Sequence, residues 1–288
     1  MVKTCEPYLL GKDPSLIEHH YQFLYRNSHF MCSVIYGALS SIDIALWDIK
    51  GKRLDVPIFE LMGGKTREKV RCYMHVHGDT PEALAAEAVS AAKAGFTAVR
   101  FSAFGPEFWL HRSYSEWTDE AVRRVGTLRE AVGSGIDLCI EIHRQMNPAE
   151  SIALGRRLEQ FHPYFYEDPM LPDSPAIMGE VQEKCNIPIA TGEKLFTLEQ
   201  FRPLIEARAC AYLQPDLNHC FGISHILEIA RAAAAEHGAA HVVEADLHAD
   251  LAQRVVELAR RDEARAADVH GAEQVDHAHV QHVQHVPH

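Results

Sequence analysis

The sequence contains no run of about 20 apolar residues, the length that a helix needs to cross a bilayer, so we expect no membrane span. Residues 1–7 have no apolar core behind a basic end and do not resemble a secretory signal. No two of the seven cysteines form a Cys-x-x-Cys pair, and their number is odd. Scattered thiols of this kind are typical of core residues in a reducing compartment, which predicts a cytoplasmic protein.

Positive charge is in deficit, because 28 lysines and arginines face 40 acidic residues and give a formal net charge of -12. A nucleic-acid-binding surface needs a basic patch, so we expect neither a nucleic-acid nor a membrane partner. The 288 residues are 47% hydrophobic and 24% charged, which is an ordinary globular composition. This length allows two domains of about 150 residues, or one barrel of about 250 residues with an added segment.

The first 68 residues favour helices. Asp13 and Pro14 predict the start of a helix over 13–30, with Asp13 as its N-cap. Residues 33–49 carry an apolar stripe that is typical of a buried helix. The stripe consists of Val34, Ala38, Ile42, Ala45 and Ile49, and Ile35, Leu39 and Leu46 beside it widen the apolar face.

From residue 70 onward, short apolar strands alternate with helices, which predicts a parallel sheet with helical crossovers. The expected strands cover 70–76, 97–101, 137–142, 164–166, 188–190 and 211–213. Glu141, Glu167 and Glu193 stand at the carboxyl ends of three consecutive strands, 26 residues apart in each step. If the sheet closes into a barrel, these ends form the mouth where active sites lie.

Three carboxylates in one mouth repel one another unless a cation lies between them. A hard divalent cation with oxygen ligands, Mg²⁺ above all, is the natural choice. Such an ion acts as a Lewis acid that stabilises an oxyanion.

Several motifs occur in a recognisable order. Residues 41–52 (SIDIALWDIKGK) and 61–65 (LMGGK) resemble the last cap-domain helix, and the segment after it, of the enolase superfamily, mandelate racemase subgroup. Residues 166–169 (YEDP) and 190–193 (ATGE) are similar to its metal motifs, and 214–219 (QPDLNH) to its sixth strand. Residues 141–144 (EIHR) resemble the third strand of dehydratases acting on galactonate, gluconate or mannonate. The resemblance covers about residues 10–238.

The resemblance implies an α/β fold, a TIM-type (β/α) barrel that is incomplete here and carries remnant helices of an α+β cap domain. Its expected parts are a cap remnant over 1–68, a partial barrel with the metal site over 69–245, and an atypical tail over 246–288. It implies Glu141, Glu167 and Glu193 as Mg²⁺ ligands, and a homo-oligomer in the intact family form.

The implied reaction is the dehydration of an aldonic acid, a small sugar acid, to a 2-keto-3-deoxy acid by α-proton abstraction and loss of the β-hydroxyl. His143, two residues after Glu141 and so expected on the same strand face, would protonate the departing hydroxyl. Asp216 would orient a seventh-strand histidine that acts as the base. The substrate-binding candidates are Arg144, Gln214 and His219.

The sequence departs from the family pattern on three strands. On the third strand the usual ligand is Asp, where this chain has Glu141. Arg100 stands where many relatives have a lysine pair, which argues against lysine-dependent racemases; it would bind the substrate carboxylate or work with Tyr114 in the loop 104–117. On the seventh strand, His241 comes too early for the base and Glu244 falls nearer to its position. A racemase or epimerase of a 2-hydroxy acid, and a non-catalytic metal-binding fragment, remain alternative functions.

The composition changes abruptly after residue 238. Residues 239–288 lack ten residue types and contain eight of the 19 histidines. The missing types are Phe, Tyr, Trp, Met, Ile, Lys, Ser, Thr, Asn and Cys. The tail is either a genuine variant with a helical stripe and metal-chelating histidines, or an out-of-frame reading of GC-rich coding sequence, which the lost residue types favour.

Overall fold

The structure, a computed structural model, describes residues 2–28, 32–105 and 113–237. Contacts divide these residues into two units: the first contains 2–28, 32–70 and 141–237, and the second contains 71–105 and 113–140. The tail over 246–288 and the positions His241 and Glu244 lie outside the described residues. Within the described ranges, no helix is both long and apolar enough to cross a membrane.

The helices and strands follow the order that the sequence predicts. The first unit opens with α1 (Val2–Leu9), α2 (Ile17–Asn27), α3 (Ser33–Leu54) and α4 (Ile58–Leu61). The second unit consists of β1 (Met74–His75), α5 (Pro81–Lys93), β2 (Ala98–Ser102), α6 (Tyr114–Val132) and β3 (Asp137–Glu141), whose last residue belongs to the first unit. The first unit continues with α7 (Pro148–Leu158), β4 (Phe165–Glu167), α8 (Pro175–Lys184), β5 (Ile189–Thr191), α9 (Leu198–Glu206), β6 (Tyr212–Leu213) and α10 (Gly222–His237).

The strands run in sequence order within each unit, β1-β2-β3 in the second and β4-β5-β6 in the first. The β1–β2, β4–β5 and β5–β6 pairs are parallel, with Glu167 opposite Ala190 and Thr191 opposite Leu213. The predicted α/β alternation is therefore confirmed, although the strand expected over 70–76 is reduced to two residues. Because parallel strands end at a common edge, this topology gathers the residues that follow β4, β5 and β6.

Side-chain caps fix the length of the loops that follow two of the strands. Asn147 begins α7 and accepts a hydrogen bond from the backbone N–H of Glu150 at 3.0 Å. Thr197 begins α9 in the same way, with Gln200 as the donor at 3.4 Å. In both helices the third residue bonds back to the cap, a capping box. Caps of this kind contribute about 0.5–2 kcal/mol each, and they leave five-residue loops after β3 and β5.

The predicted cap of α2 is wrong. Asp13 Oδ1 accepts the backbone N–H of Ser15 at 2.9 Å, so the Asp13–Pro14 pair forms a turn before the helix. The helix itself begins at Ile17, after Leu16, which makes no side-chain cap.

The buried face of α3 lies toward one side of the wide apolar face that the sequence predicts. Val34 and Ile49 are 62% and 42% exposed. The buried residues Ile35, Leu39, Ile42 and Leu46 instead form one core with Ile17, Leu24 and Phe221. A second core lies beneath β5 and β6 and includes Met178, Val181, Ile189, Phe201, Leu204, Ile205, Leu213 and Ile229. The sequence pattern alone gives α3 a wide apolar face, so packing decides which part of that face is buried.

Candidate active site

Three carboxylates converge in the first unit. Glu141 ends β3, Glu167 ends β4, and Glu193 lies in the loop after β5. Each offers one oxygen, and these oxygens lie within 4.8 Å of one another. The side chain of Glu141 is 5% exposed and Glu167 is fully buried, whereas that of Glu193 is 26% exposed. Glu141 and Glu167 thus form the buried side of the site, and Glu193 lies nearer to solvent.

The donor set fits a hard divalent cation. Around Mg²⁺, ligand oxygens at 2.0–2.1 Å lie about 3 Å apart when adjacent and about 4 Å apart when opposite. The spacing of the three carboxylates, 4.8 Å or less, needs only a small adjustment to reach this geometry. All three donors are carboxylate oxygens, which favour Mg²⁺, Ca²⁺ or Mn²⁺ over metals that prefer nitrogen or sulfur.

A buried ion-pair network adjoins these acids. Arg144 Nη1 donates to Asp168 Oδ2 at 2.6 Å and also to Glu193 Oε1. Thr191 Oγ1 donates to the other oxygen of Asp168 at 2.6 Å. Burial alone would lower the pKa of Arg144, but its bonds to Asp168 and the nearby Glu193 carboxylate outweigh this and raise it, so the guanidinium stays charged. The sequence analysis missed Asp168, for which the only signal was its place beside Glu167.

His143 lies beside Glu141, but not for the predicted reason. The strand β3 ends at Glu141, and His143 has a left-handed backbone with a φ of 60°, so strand alternation does not continue to it. The turn brings His143 Nδ1 to 4.0 Å from Glu141 Oε1, and the His143 backbone N–H donates to the same oxygen. The imidazole is 61% exposed and can therefore meet a ligand from solvent.

The residues after β6 lie next to β5. The backbone N–H of Gln214 donates to Thr191 O at 2.9 Å. Asp216 Oδ2 is 3.8 Å from His219 Nε2, so within the described chain its nearest histidine is three residues away rather than on a seventh strand. Gln214 Oε1 and His219 Nδ1 are buried atoms with no hydrogen-bond partner among the described residues, which suits them to bind polar groups of a ligand.

Arg100 and Tyr114 belong to the second unit. Arg100 lies in β2 opposite His75. Tyr114 is the first residue of α6, because Ser113 and Glu116 form a capping box there. The prediction that Tyr114 lies in a loop over 104–117 is therefore wrong, and its ring packs edge-on against Trp117 at 5.0 Å. The catalytic roles predicted for Arg100 and Tyr114 stay predictions.

Family models match most of the chain. Residues 2–63 match the N-terminal domain of the mandelate racemase / muconate lactonizing enzyme family, and residues 83–286 match the enolase C-terminal domain-like family. The chain belongs to the enolase superfamily, in the mandelate racemase subgroup. The enolase C-terminal domain is a barrel of the TIM type, which confirms the predicted fold class and family.

Curated enolase-superfamily relatives include D-galactonate dehydratases. That of Verminephrobacter eiseniae is 35% identical over 235 residues, which are 81% of this chain and 61% of the relative. That of Xanthomonas euvesicatoria is 36% identical over 229 residues, or 79% of this chain and 59% of the relative. The chain therefore covers less than two thirds of the length of these relatives.

Solved enolase-superfamily structures share the fold. A member from Salmonella Typhimurium is 30% identical with a TM-score of 0.75, over 82% of this chain and 66% of that one. An enolase described as a candidate galactarate dehydratase, from Agrobacterium radiobacter with Na and L-malate bound, is 29% identical with a TM-score of 0.75. That match covers 82% of this chain and 60% of the other.

Proposed function

We propose that this chain is a Mg²⁺-dependent dehydratase of an aldonic acid, which it converts to a 2-keto-3-deoxy acid. The observation that carries the proposal is the convergence of Glu141, Glu167 and Glu193, with His143 at 4.0 Å from the first of them. Relatives that are 35–36% identical are named D-galactonate dehydratases, which supports a sugar acid as the substrate.

The three glutamates would hold the ion. When bound, Mg²⁺ supplies a Lewis acid that stabilises negative charge on the substrate carboxylate. Glu141 and Glu167 are buried, so solvent has little access to the inner side of the site. Glu193 is more exposed, so a ligand can enter the site from that side.

His143 would donate the proton that the departing β-hydroxyl needs. Its exposed ring and its position beside Glu141 put the donor at the edge of the carboxylate group. The substrate loses a proton from its α-carbon and hydroxide from its β-carbon, the hydroxide leaves as water with the proton from His143, and the enol product becomes the 2-keto acid. A positioned proton donor of this kind contributes about 10² to 10⁴ in rate.

We assign the remaining candidates by chemistry. Asp216 would orient the histidine that removes the α-proton, and the buried acceptor Gln214 Oε1 and the atom His219 Nδ1 would bind substrate hydroxyls. Arg100 would bind the substrate carboxylate or work with Tyr114. We further propose a homo-oligomer and, from the scattered cysteines, a cytoplasmic location.

The test separates elimination from racemisation. Galactonate, gluconate and mannonate would each be incubated with the protein and Mg²⁺ in D₂O, measuring 2-keto-3-deoxy acid and deuterium at the α-carbon. We expect keto acid from at least one substrate, and a His143→Gln variant that forms it about 10² to 10⁴ times more slowly. The control His19→Gln, at an exposed position of α2, should match the wild type.

The other outcomes decide between the alternative functions. Exchange or inversion at the α-carbon without keto acid would replace the proposal by a racemase or epimerase. Neither product, from a protein that binds Mg²⁺, would indicate a non-catalytic metal-binding fragment.

A further inference from the structure

We infer that Arg144 and Asp168 are positioning residues that hold Glu193 in place for the metal ion, and that Arg144 is not a substrate ligand. This inference rests on the metal site of the proposed function. The observation behind it is a chain of buried contacts that links the loops after β3, β4 and β5 through these two side chains.

Asp168 has no oxygen left to offer to a metal. Its Oδ1 accepts Thr191 Oγ1 at 2.6 Å and its Oδ2 accepts Arg144 Nη1 at 2.6 Å. Its backbone N–H donates to Ala190 O at 2.9 Å, and the residue is almost fully buried. Although it follows Glu167 directly, Asp168 therefore serves as an anchor for Arg144.

Arg144 is held from both its backbone and its side chain. Its backbone N–H donates to Asp168 O at 2.6 Å, and its side chain is only 9% exposed. The single atom Nη1 donates both of its hydrogens, one to Asp168 and one to Glu193. Two of the five N–H hydrogens of Arg144 are thus bound to protein carboxylates and its side chain is mostly buried, so Arg144 is poorly placed to bind a substrate, which was the role predicted from sequence.

Glu193 is the ligand that most needs such a hold. It is more exposed than Glu141 and Glu167, and it lies in a loop after Gly192, whose φ is 132°. A free glutamate side chain would lose rotamer freedom when the ion binds. The contact with Arg144 restricts one Glu193 oxygen beforehand and leaves the other for the ion.

A positive charge near the site could instead repel the ion, and the charge balance argues against this. Asp168 lies at 2.6 Å from the guanidinium, so the buried pair carries little net charge. The repulsion of a divalent ion by Arg144 is therefore largely cancelled by the attraction of Asp168. What remains is the orientation of Glu193, and loss of partners that orient ligands usually costs about 10- to 100-fold in metal affinity.

The test is the Mg²⁺ dissociation constant measured by calorimetry on the full chain. We expect Arg144→Met to weaken binding by about 10- to 100-fold, and Arg144→Lys, which keeps the charge but not the fork, to weaken it less. Asp168→Asn should also weaken binding, because it releases Arg144. The control Arg202→Met changes an exposed arginine of α9 and should leave the affinity unchanged.

Circular dichroism would identify any variant that fails to fold, and the folded members of the Arg144 and Asp168 set then decide. Equal or tighter binding in the folded variants would overturn the inference while leaving the metal site intact. A wild-type protein that binds no Mg²⁺ would overturn the metal site, and the inference with it.

Discussion

At the scale of single residues, the site concentrates backbone conformations that side chains seldom adopt. His143, Arg144 and Asp168 all lie in the left-handed region, with φ values of 60°, 63° and 42°. Each such residue costs on the order of 1–3 kcal/mol and persists only where its surroundings fix it. Here the contacts between Arg144 and Asp168 hold the backbones of these two residues in place. The same turn of the chain places His143 beside Glu141.

Glu167→Gln tests the contribution of the most buried carboxylate. We expect the variant to bind Mg²⁺ at least about 100 times more weakly, since loss of a direct ligand should cost no less than loss of an outer partner. Without Mg²⁺ its melting temperature should equal or exceed that of the wild type, because one of three mutually repelling charges is gone. Calorimetry and thermal denaturation measure the two effects. The exposed Glu180→Gln is the control, and equal Mg²⁺ affinity in Glu167→Gln and wild type would refute the ligand assignment.

At the scale of helices and strands, hydrogen bonds among Asp43, Trp47 and Ser224 connect α3 to the start of α10, and we call this group the joint. Asp43 accepts the backbone N–H of Ser224 at 3.1 Å and its hydroxyl at 2.6 Å. Trp47 Nε1 donates to the same hydroxyl oxygen at 2.9 Å. A carboxylate at a helix N-terminus satisfies donors that have no partner within the helix, so the joint fixes where α10 begins and how it meets α3.

Gly222→Ala should break this joint. Gly222 has a φ of 82°, and an added Cβ would lie 2.5 Å from Asp43 Oδ2. Gly11→Ala is a matched control, because Gly11 has a similar φ of 74° but no atom within 4 Å of the added Cβ. Urea denaturation should show Gly222→Ala to be less stable than Gly11→Ala by about 1–3 kcal/mol, the usual cost of overpacking. Equal stability of the two variants would show that the close approach to Asp43 is not essential.

The contact between α9 and α10 depends on pH because it includes the imidazole of His225. Its Nε2 accepts the backbone N–H of Leu198 at 2.9 Å, which requires a neutral ring. Burial lowers the pKa of His225, although the facing carboxylate of Glu228 at 3.3 Å and that of Glu199 partly offset this. The unfolded chain therefore binds the proton more readily than the folded one.

It follows that the stability from His225 is fully present above the ordinary histidine pKa of about 6.5. It is lost as the pH falls from there through the lowered folded value. Urea denaturation of the wild type and His225→Gln between pH 8 and pH 5 measures this loss. The variant should show a shallower pH dependence, and parallel curves for the two proteins would contradict the prediction.

The sequence predicts the helices and strands themselves better than the contacts between them. Local periodicity and turn residues predicted the strand–helix alternation, which the described strands and helices follow. The even spacing of the glutamates predicted their convergence, since strand ends share an edge. The choice of the buried face of α3 and the contact of Arg144 with Asp168 and Glu193 depend on long-range packing, which spacing along the chain does not encode. The start of α6 at Tyr114, by contrast, has a local signal in the Ser113–Glu116 capping box that the sequence interpretation did not use.

At the scale of the whole molecule, the three candidate metal ligands lie within residues 141–193, which belong to one unit. The predicted position of the catalytic base lies outside this range, because it follows residue 238. The out-of-frame interpretation of the tail is therefore a prediction about the catalytic base as well. If the tail is out of frame, this chain should form the keto acid about 10² to 10⁴ times more slowly than a version restored in frame after Gly238.

Reading the nucleotide sequence after codon 238 in all three frames tests that interpretation. We expect another frame to encode a histidine, after proline, about half a dozen residues beyond Gly238. If the other frames contain stop codons or no such histidine, the tail is genuine, and His241 or Glu244 becomes the candidate for the base.

We propose that Glu141, Glu167 and Glu193 jointly hold one divalent cation. A crystal structure of the protein with Mn²⁺, which takes the same oxygen ligands as Mg²⁺, tests it most directly through the anomalous difference map. We expect one strong peak within about 2.5 Å of an oxygen of each of the three carboxylates, with Asp168 still paired to Arg144. A map with Mn²⁺ bound elsewhere and no peak among these three glutamates would contradict it.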